Sequence, residues 1–284
     1  MRITFHGVRG STPACGADFL RYGGHTSCVA LAHDGHPPTL VLDAGTGIRR
    51  LTAELAGAAF RGSILLTHLH WDHTQGLPFF AAGDRADAQV TLLMPAQGEA
   101  ADVLSKALSP PHFPITPTQL RGRWRFEGIE PGAYTVEGFD VTAVEIPHKG
   151  GRTYGYRVSA GGATIAYLPD HCPTAFGAGA RGFGVCHEAA LTLAADADVL
   201  IHDAQYTAAE LPARLDWGHC AADYAADLAQ TARVGTLLLF HHEPNRVDEA
   251  VDEMVAAQRR QGLSVAGAAE GMVVDLPLVA AVGA

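Results

Sequence analysis

The chain has 284 residues, 48% hydrophobic and 18% charged, enough to bury a core without disulfides. No apolar run reaches the ~18 residues of a membrane span, and the opening MRITFHGVRGS lacks the apolar stretch of a signal peptide, so a cytoplasmic protein is expected. Twenty Lys+Arg against 30 Asp+Glu leave a net charge of −10 with no basic run, which speaks against gripping long nucleic acids by their phosphates.

In chain order, Arg2–Phe5 reads as a short strand entering the glycine-rich turn HGVRGSTP. Apolar runs at Cys28–His33 and Thr39–Asp43 flank Asp34-Gly35-His36-Pro37-Pro38, a hairpin signal. A tight turn, Asp43-Ala44-Gly45-Thr46-Gly47, leads into a helical stretch over Ile48–Ala56. Strands are expected at Ser63–Thr67 and Gln89–Met94, then a helix over Glu99–Leu108. The proline-rich segment Ser109–Pro117 is irregular and reads as an internal crossover or pocket loop. Strands resume at Ala133–Val136 and Phe139–Ile146, followed by a hairpin of Tyr154–Ser159 and Ala163–Leu168. Buried strands at Val199–His202 and Thr236–Phe240 alternate with helices over Ala221–Ala232 and Asp248–Gln261, the latter with Gly262 as its C-cap. Two similar halves, each a sheet with helices outside, predict an α/β four-layer αββα sandwich spanning 1–284 as one domain.

The five cysteines are odd in number, scattered and never spaced as CxxC, which fits reduced thiols. The 15 histidines carry the signal, because they fall so unevenly. Thr67-His68-Leu69-His70-Trp71-Asp72-His73 puts four candidate metal ligands within six residues, directly after an apolar strand. A strand end entering a loop aims successive side chains in different directions, so one short segment can serve two ions. Imidazole and carboxylate suit zinc, and also manganese or iron. By contrast GAGARG (177–182) matches GxGxxG but follows a loop, so a dinucleotide site is not expected there.

The segment resembles the signature of the metallo-β-lactamase superfamily, whose members share an αββα sandwich of two mixed sheets with a metal site at the sheet ends. The resemblance extends over nearly the whole chain. It implies that Asp43, in LDAGTG, supports the metal loop, and that His148, in IPHKGG, is the third metal histidine. Asp170, in YLPDH, resembles the metal-bridging aspartate, and His241, in LLLFHHEP, the last ligand. The neighbouring His242 is the alternative, since adjacent strand residues point to opposite faces. Residue by residue, one ion would take His68, His70, His148 and Asp170, and the second Asp72, His73, Asp170 and His241. Two divalent ions with a bridging hydroxide would supply a nucleophile near neutral pH without serine or cysteine.

Trp217-Gly218-His219 resembles the catalytic-histidine motif of the phosphodiesterase branch, which includes RNase Z and PhnP. Asp72 and His219 are therefore the expected catalytic residues. His202, in LIHDAQY, would support the site together with Asp203 or serve as a structural histidine. Lys149 and Arg152, after His148, and Arg9 and Ser11, in the HGVRGST turn, are candidates for holding substrate. Only 21 residues, Lys149–Pro169, separate His148 from Asp170, too few for the tRNA-binding arm of bacterial RNase Z. Two cysteines near the start are too few for the structural zinc of PhnP. The resulting expectation is a metal-dependent hydrolase acting on a small or cyclic phosphodiester, with a homodimer as a candidate assembly. Alternatives are a thioesterase or lactonase of the same fold, or a metal-bound binding module without activity.

Overall fold

The apolar runs pair into two seven-stranded sheets in a computed structural model that describes residues 1–277. The chain runs β1 (Arg2–Gly7), β2 (Cys28–Ala32), β3 (Leu40–Leu42), α1 (Ile48–Glu54), β4 (Arg61–Leu65), α2 (Trp71–Thr74), β5 (Gln89–Pro95), α3 (Ala100–Ser105) and β6 (Arg123–Ile129). It continues through β7 (Gly132–Val136), β8 (Phe139–Glu145), β9 (Tyr154–Ala160), β10 (Ala163–Leu168), α4 (Glu188–Ala194) and β11 (Val199–Asp203). The described part closes with α5 (Ala222–Thr231), β12 (Thr236–Phe240), α6 (Asp248–Ala257), β13 (Ser264–Gly267) and β14 (Val273–Asp275).

One sheet has the order β14-β1-β2-β3-β4-β5-β6 and the other β13-β12-β11-β10-β9-β8-β7. Each is antiparallel over its first three pairings in the chain's path and parallel over the next three. The two halves of the sequence therefore repeat one plan, as the recurring pattern suggests. The parallel strands β4, β11 and β12 are buried along nearly their whole length, which is why apolar stretches such as Val199-Leu200-Ile201 and Leu237–Phe240 show no alternation. The sheets face one another across Phe5, Leu31 and Leu42 from one and Tyr156, Ile165, Ile201 and Phe240 from the other. Outside them, Ile48 and Leu51 of α1 seal the first sheet, and Leu193, Tyr224 and Leu228 seal the second. This is the expected αββα sandwich.

Several details differ from the sequence reading. The strands β6, β13 and β14 lie at sheet edges and have too few apolar residues to stand out. In RWRFEGI of β6, charged and aromatic residues alternate, a pattern that blunts an exposed edge. The third helix ends at Ser105 and the sixth at Ala257, short of the expected Leu108 and Gln261. Gly262 is consequently not a C-cap; at φ +79° it turns the chain into β13. Among the described residues all five cysteines are free, and no helix is long and apolar enough to cross a membrane.

Candidate metal centre

Every expected ligand lies just beyond a strand's carboxyl end, where an α/β sheet leaves a crevice. The first sheet sets the frame through Asp43, which follows β3 and is fully buried in the left-handed region at φ 60°. Its carboxylate accepts hydrogen bonds from the Thr67 amide at 2.8 Å, the Thr67 hydroxyl at 2.9 Å and the Tyr167 hydroxyl at 2.9 Å. It also accepts from His73 Nδ1 at 2.8 Å, which fixes that ring with Nε2 turned to the cluster. The short helix α2 begins at Trp71 and carries both Asp72 and His73 on its first turn.

The second sheet supplies the rest. His148 donates Nδ1–H to the Gly218 carbonyl at 2.7 Å, leaving Nε2 free at 3.2 Å from His70 Nδ1. Gly218 is needed at that contact: its φ is +96°, and a Cβ there would stand 3.0 Å from the His148 ring. Asp170, after β10, divides its carboxylate between two groups. Oδ1 faces His148 Nε2 at 3.6 Å and His68 Nε2 at 3.9 Å, whereas Oδ2 faces His73 Nε2 at 2.9 Å and His241 Nε2 at 3.4 Å. Asp72 Oδ2 completes the second group, 3.0 Å from His241 Nε2 and 3.4 Å from His73 Nε2. His241 leaves β12 at φ 57°, a conformation that costs an L-residue about 1–2 kcal/mol and here aims the ring inward. The adjacent His242 turns away and bonds the Ala268 carbonyl at 2.8 Å.

The donor set fits divalent ions. Buried polar atoms are normally paired, yet His68 Nε2, His73 Nε2 and both Asp170 oxygens have no hydrogen-bond partner. They converge with the other expected ligands into two compact groups, His68-His70-His148 and Asp72-His73-Asp170-His241. Burial lowers the pKa values of His68, His70 and His148, the last to about 4, so these rings are neutral and ready to ligate. For Asp72 and Asp170 burial favours the neutral acid, but the surrounding histidines outweigh it and hold both carboxyls well below their usual range. Burial likewise opposes charge on His73, and Asp170, Asp43 and Asp72 overcome it, raising that pKa well above 6.5. A proton on His73 thus occupies a place that a cation would fill.

Beside the cluster is an open cavity of about 530 Å³, lined by Ser11, His70, Asp72, Lys149, Asp170, Trp217 and His219 among others. His219 donates Nδ1–H to Asp203 Oδ2 at 3.0 Å, and the same oxygen accepts from the His171 amide. Burial pushes the His219 pKa down, but Asp203, Asp170 and Asp72 outweigh it and the net shift is upward. Of the four substrate-holding candidates, Lys149 is exposed on the cavity wall, 3.7 Å from Asp216. Ser11 also reaches it, and its amide donates to Asp72 Oδ2 at 2.7 Å, so the residue orients that carboxylate as well.

Arg9 is the correction. Its fully buried guanidinium binds the Gly23, Glu243 and Arg246 carbonyls, tying the first turn to the loop after β12. Arg152 is engaged too, by Glu145, Glu130 and the Ala96 carbonyl. Arg9 thus anchors the HGVRGS turn, while Ser11 of the same turn stays at the cavity. A Cβ on the turn's Gly10 would meet the His241 ring at 2.4 Å.

His202 bonds the Asp203 backbone carbonyl rather than its carboxylate and faces His171, not the cluster. From there His171 Nε2 meets His187 Nε2 at 2.7 Å, so three imidazoles form a chain behind the site. Nothing in the spacing of residues 171, 187 and 202 announces it; the parallel pairing of β10 with β11 and the start of α4 bring them together.

A family profile described as "Beta-lactamase superfamily domain" matches residues 39–242. A ribonuclease Z of Listeria monocytogenes is 30% identical over 219 residues, covering 63% of this chain and 69% of that protein. The metallo-beta-lactamase fold protein YhfI of Bacillus subtilis superposes with a TM-score of 0.71 at 17% identity, over 96% of this chain and 99% of that one. The short form of human tRNase Z superposes at 0.67 with 22% identity, over 98% and 100%.

Proposed function

The chain belongs to the β-lactamase superfamily, and from that premise we propose that it is a metal-dependent phosphodiesterase holding two divalent ions and acting on a small diester. The observation that carries this reading is the division of the Asp170 carboxylate between two sets of nitrogen donors. One ion would rest on His68, His70, His148 and Asp170 Oδ1, the other on Asp72, His73, His241 and Asp170 Oδ2. Zinc suits this nitrogen and oxygen set, as do manganese and iron. When bound, two such ions supply a hydrolytic nucleophile near neutral pH and stabilise charge on the phosphoryl oxygens.

The chain's own residues do the remainder. Asp43, through His73, and Gly218, through His148, fix ring orientation before any substrate arrives. His219, with Nδ1 committed to Asp203, presents its other nitrogen to the cavity as the proton donor for a departing alkoxide. Similarity to ribonuclease Z favours phosphodiesters over acyl substrates. A small substrate is favoured because β9 and β10 form a tight hairpin that takes up the chain between His148 and Asp170. The acidic balance of the whole chain points the same way.

The test is a panel assay on purified protein of known metal content. The reading predicts hydrolysis of bis(p-nitrophenyl) phosphate or cyclic nucleotides and poor cleavage of precursor tRNA. Turnover of a thioester alone would make the protein an acyl hydrolase, and efficient tRNA 3′ cleavage alone would refute the small-substrate reading.

A further inference from the structure

A second cavity, of about 640 Å³, opens beside the metal site and shares Leu69 and Trp71 with it. Its volume falls within the ~300–1,000 Å³ typical of small-molecule pockets. Its walls are largely apolar. Leu77 and Leu104, 3% and 5% exposed, belong to the core beneath the first sheet and form a fixed base. Around them stand Leu108, the Trp71 indole and the edge-to-face pair Phe79–Phe113, with ring centroids 5.8 Å apart. Phe113 comes from the proline-rich segment, so that irregular stretch is a pocket wall.

Exposed apolar side chains of this size normally cost solubility, and they are retained where something covers them. Trp71 is 72% exposed and Phe79 56%, yet both sit at this cavity. Trp71 lies between His70 and Asp72 in sequence and lines both cavities, so a group resting on the indole stays within reach of a phosphoryl group at the cluster. The polar lining includes Arg49, Gln75 and His112. The Arg49 guanidinium has no hydrogen bond or ion pair among the described residues. Ten of the fifteen lining residues are apolar, which offers much surface to bury a plain ring.

Resting on the phosphodiesterase reading, we infer that this cavity receives an apolar substituent of the substrate, an aryl or branched aliphatic group on the non-departing side of the diester. The pocket, rather than the metal cluster, then sets substrate preference.

Two readouts test this. Phenyl p-nitrophenyl phosphate and methyl p-nitrophenyl phosphate release the same phenolate, so their kcat/KM ratio reports only the retained group once its intrinsic reactivity is cancelled against a variant. Ala107→Trp fills the cavity from an exposed lining position, and Phe79→Asp makes its mouth polar. The phenyl-to-methyl ratio should fall at least tenfold in either variant, and because it is a ratio, partial misfolding does not mimic the result. Independently of turnover, quenching of tryptophan fluorescence should show 2-naphthylphosphonate binding at least tenfold tighter than methylphosphonate, a preference that Ala107→Trp removes. Diester cleavage with an unchanged ratio and no naphthyl preference overturns the pocket and leaves the phosphodiesterase reading standing. A naphthyl preference without cleavage of either diester does the reverse.

Discussion

Two groups of histidines differ in what their nitrogens find: the cluster is assembled from both sheets, whereas the other group lies wholly beside the second. In the cluster at the sheet ends, ring nitrogens converge on carboxylates, and His68 Nε2, His73 Nε2 and both Asp170 oxygens are left without a hydrogen-bond partner. In the chain of His202, His171 and His187, nitrogens pair in sequence at 3.0 and 2.7 Å. Burial lowers the pKa values of all three rings in that chain, and no carboxylate oxygen is bonded to their side chains. Histidine number alone therefore does not make a metal site. Convergent, unpartnered donors around a carboxylate do.

The largest effect should come from breaking the first group. Asp170→Ala should reduce hydrolysis to background and release at least one ion, measured by elemental analysis alongside turnover. Full occupancy with normal turnover would place the bridging carboxylate elsewhere. Next in size is His219→Ala, expected to slow cleavage of an alkyl or ribose diester by ~10²–10⁴-fold and a nitrophenyl diester far less. Metal content should not change. The upward shift of His219 also fixes the pH dependence. The proton donor is present below its raised pKa and lost as pH climbs through it, so the rate on a poor leaving group should fall on the alkaline side. His219→Ala should flatten that limb in a pH–rate profile.

Much of this site was legible because metal ligation concentrates chemistry into short segments. His68, His70, Asp72 and His73 fall on one loop, and His148, Asp170 and His241 each follow an apolar run. The choice of His241 over His242 rests on a left-handed backbone angle, which a family resemblance can suggest but strand periodicity cannot. Arg9 was misread for a related reason: a charged residue in a glycine-rich turn looks available to substrate, and only the fold reveals the three carbonyls that enclose it. The edge strands were hidden because their exposed faces remove the apolar signal. His187 lies 16 residues from His171 in sequence, and only the fold brings their rings together.

A smaller effect is expected one shell outward. Asp43→Asn removes the charge behind His73, and metal affinity or activity should drop ~10–100-fold, read by zinc competition against a chelating dye. Smallest for function is His171→Phe, which strands His202 Nε2 without its partner. It should cost stability, about 1–3 kcal/mol by denaturant unfolding, with the number of bound ions unaltered. Loss of an ion in that variant would erase the distinction between the two histidine groups.

The most direct measurement is the metal stoichiometry of fully loaded wild-type protein beside Asp170→Ala, with the ions located by anomalous scattering. The account predicts two ions per wild-type chain, on either side of Asp170, and no more than one in the variant. A single ion in the wild type, or an ion held by His171 and His187, would contradict it.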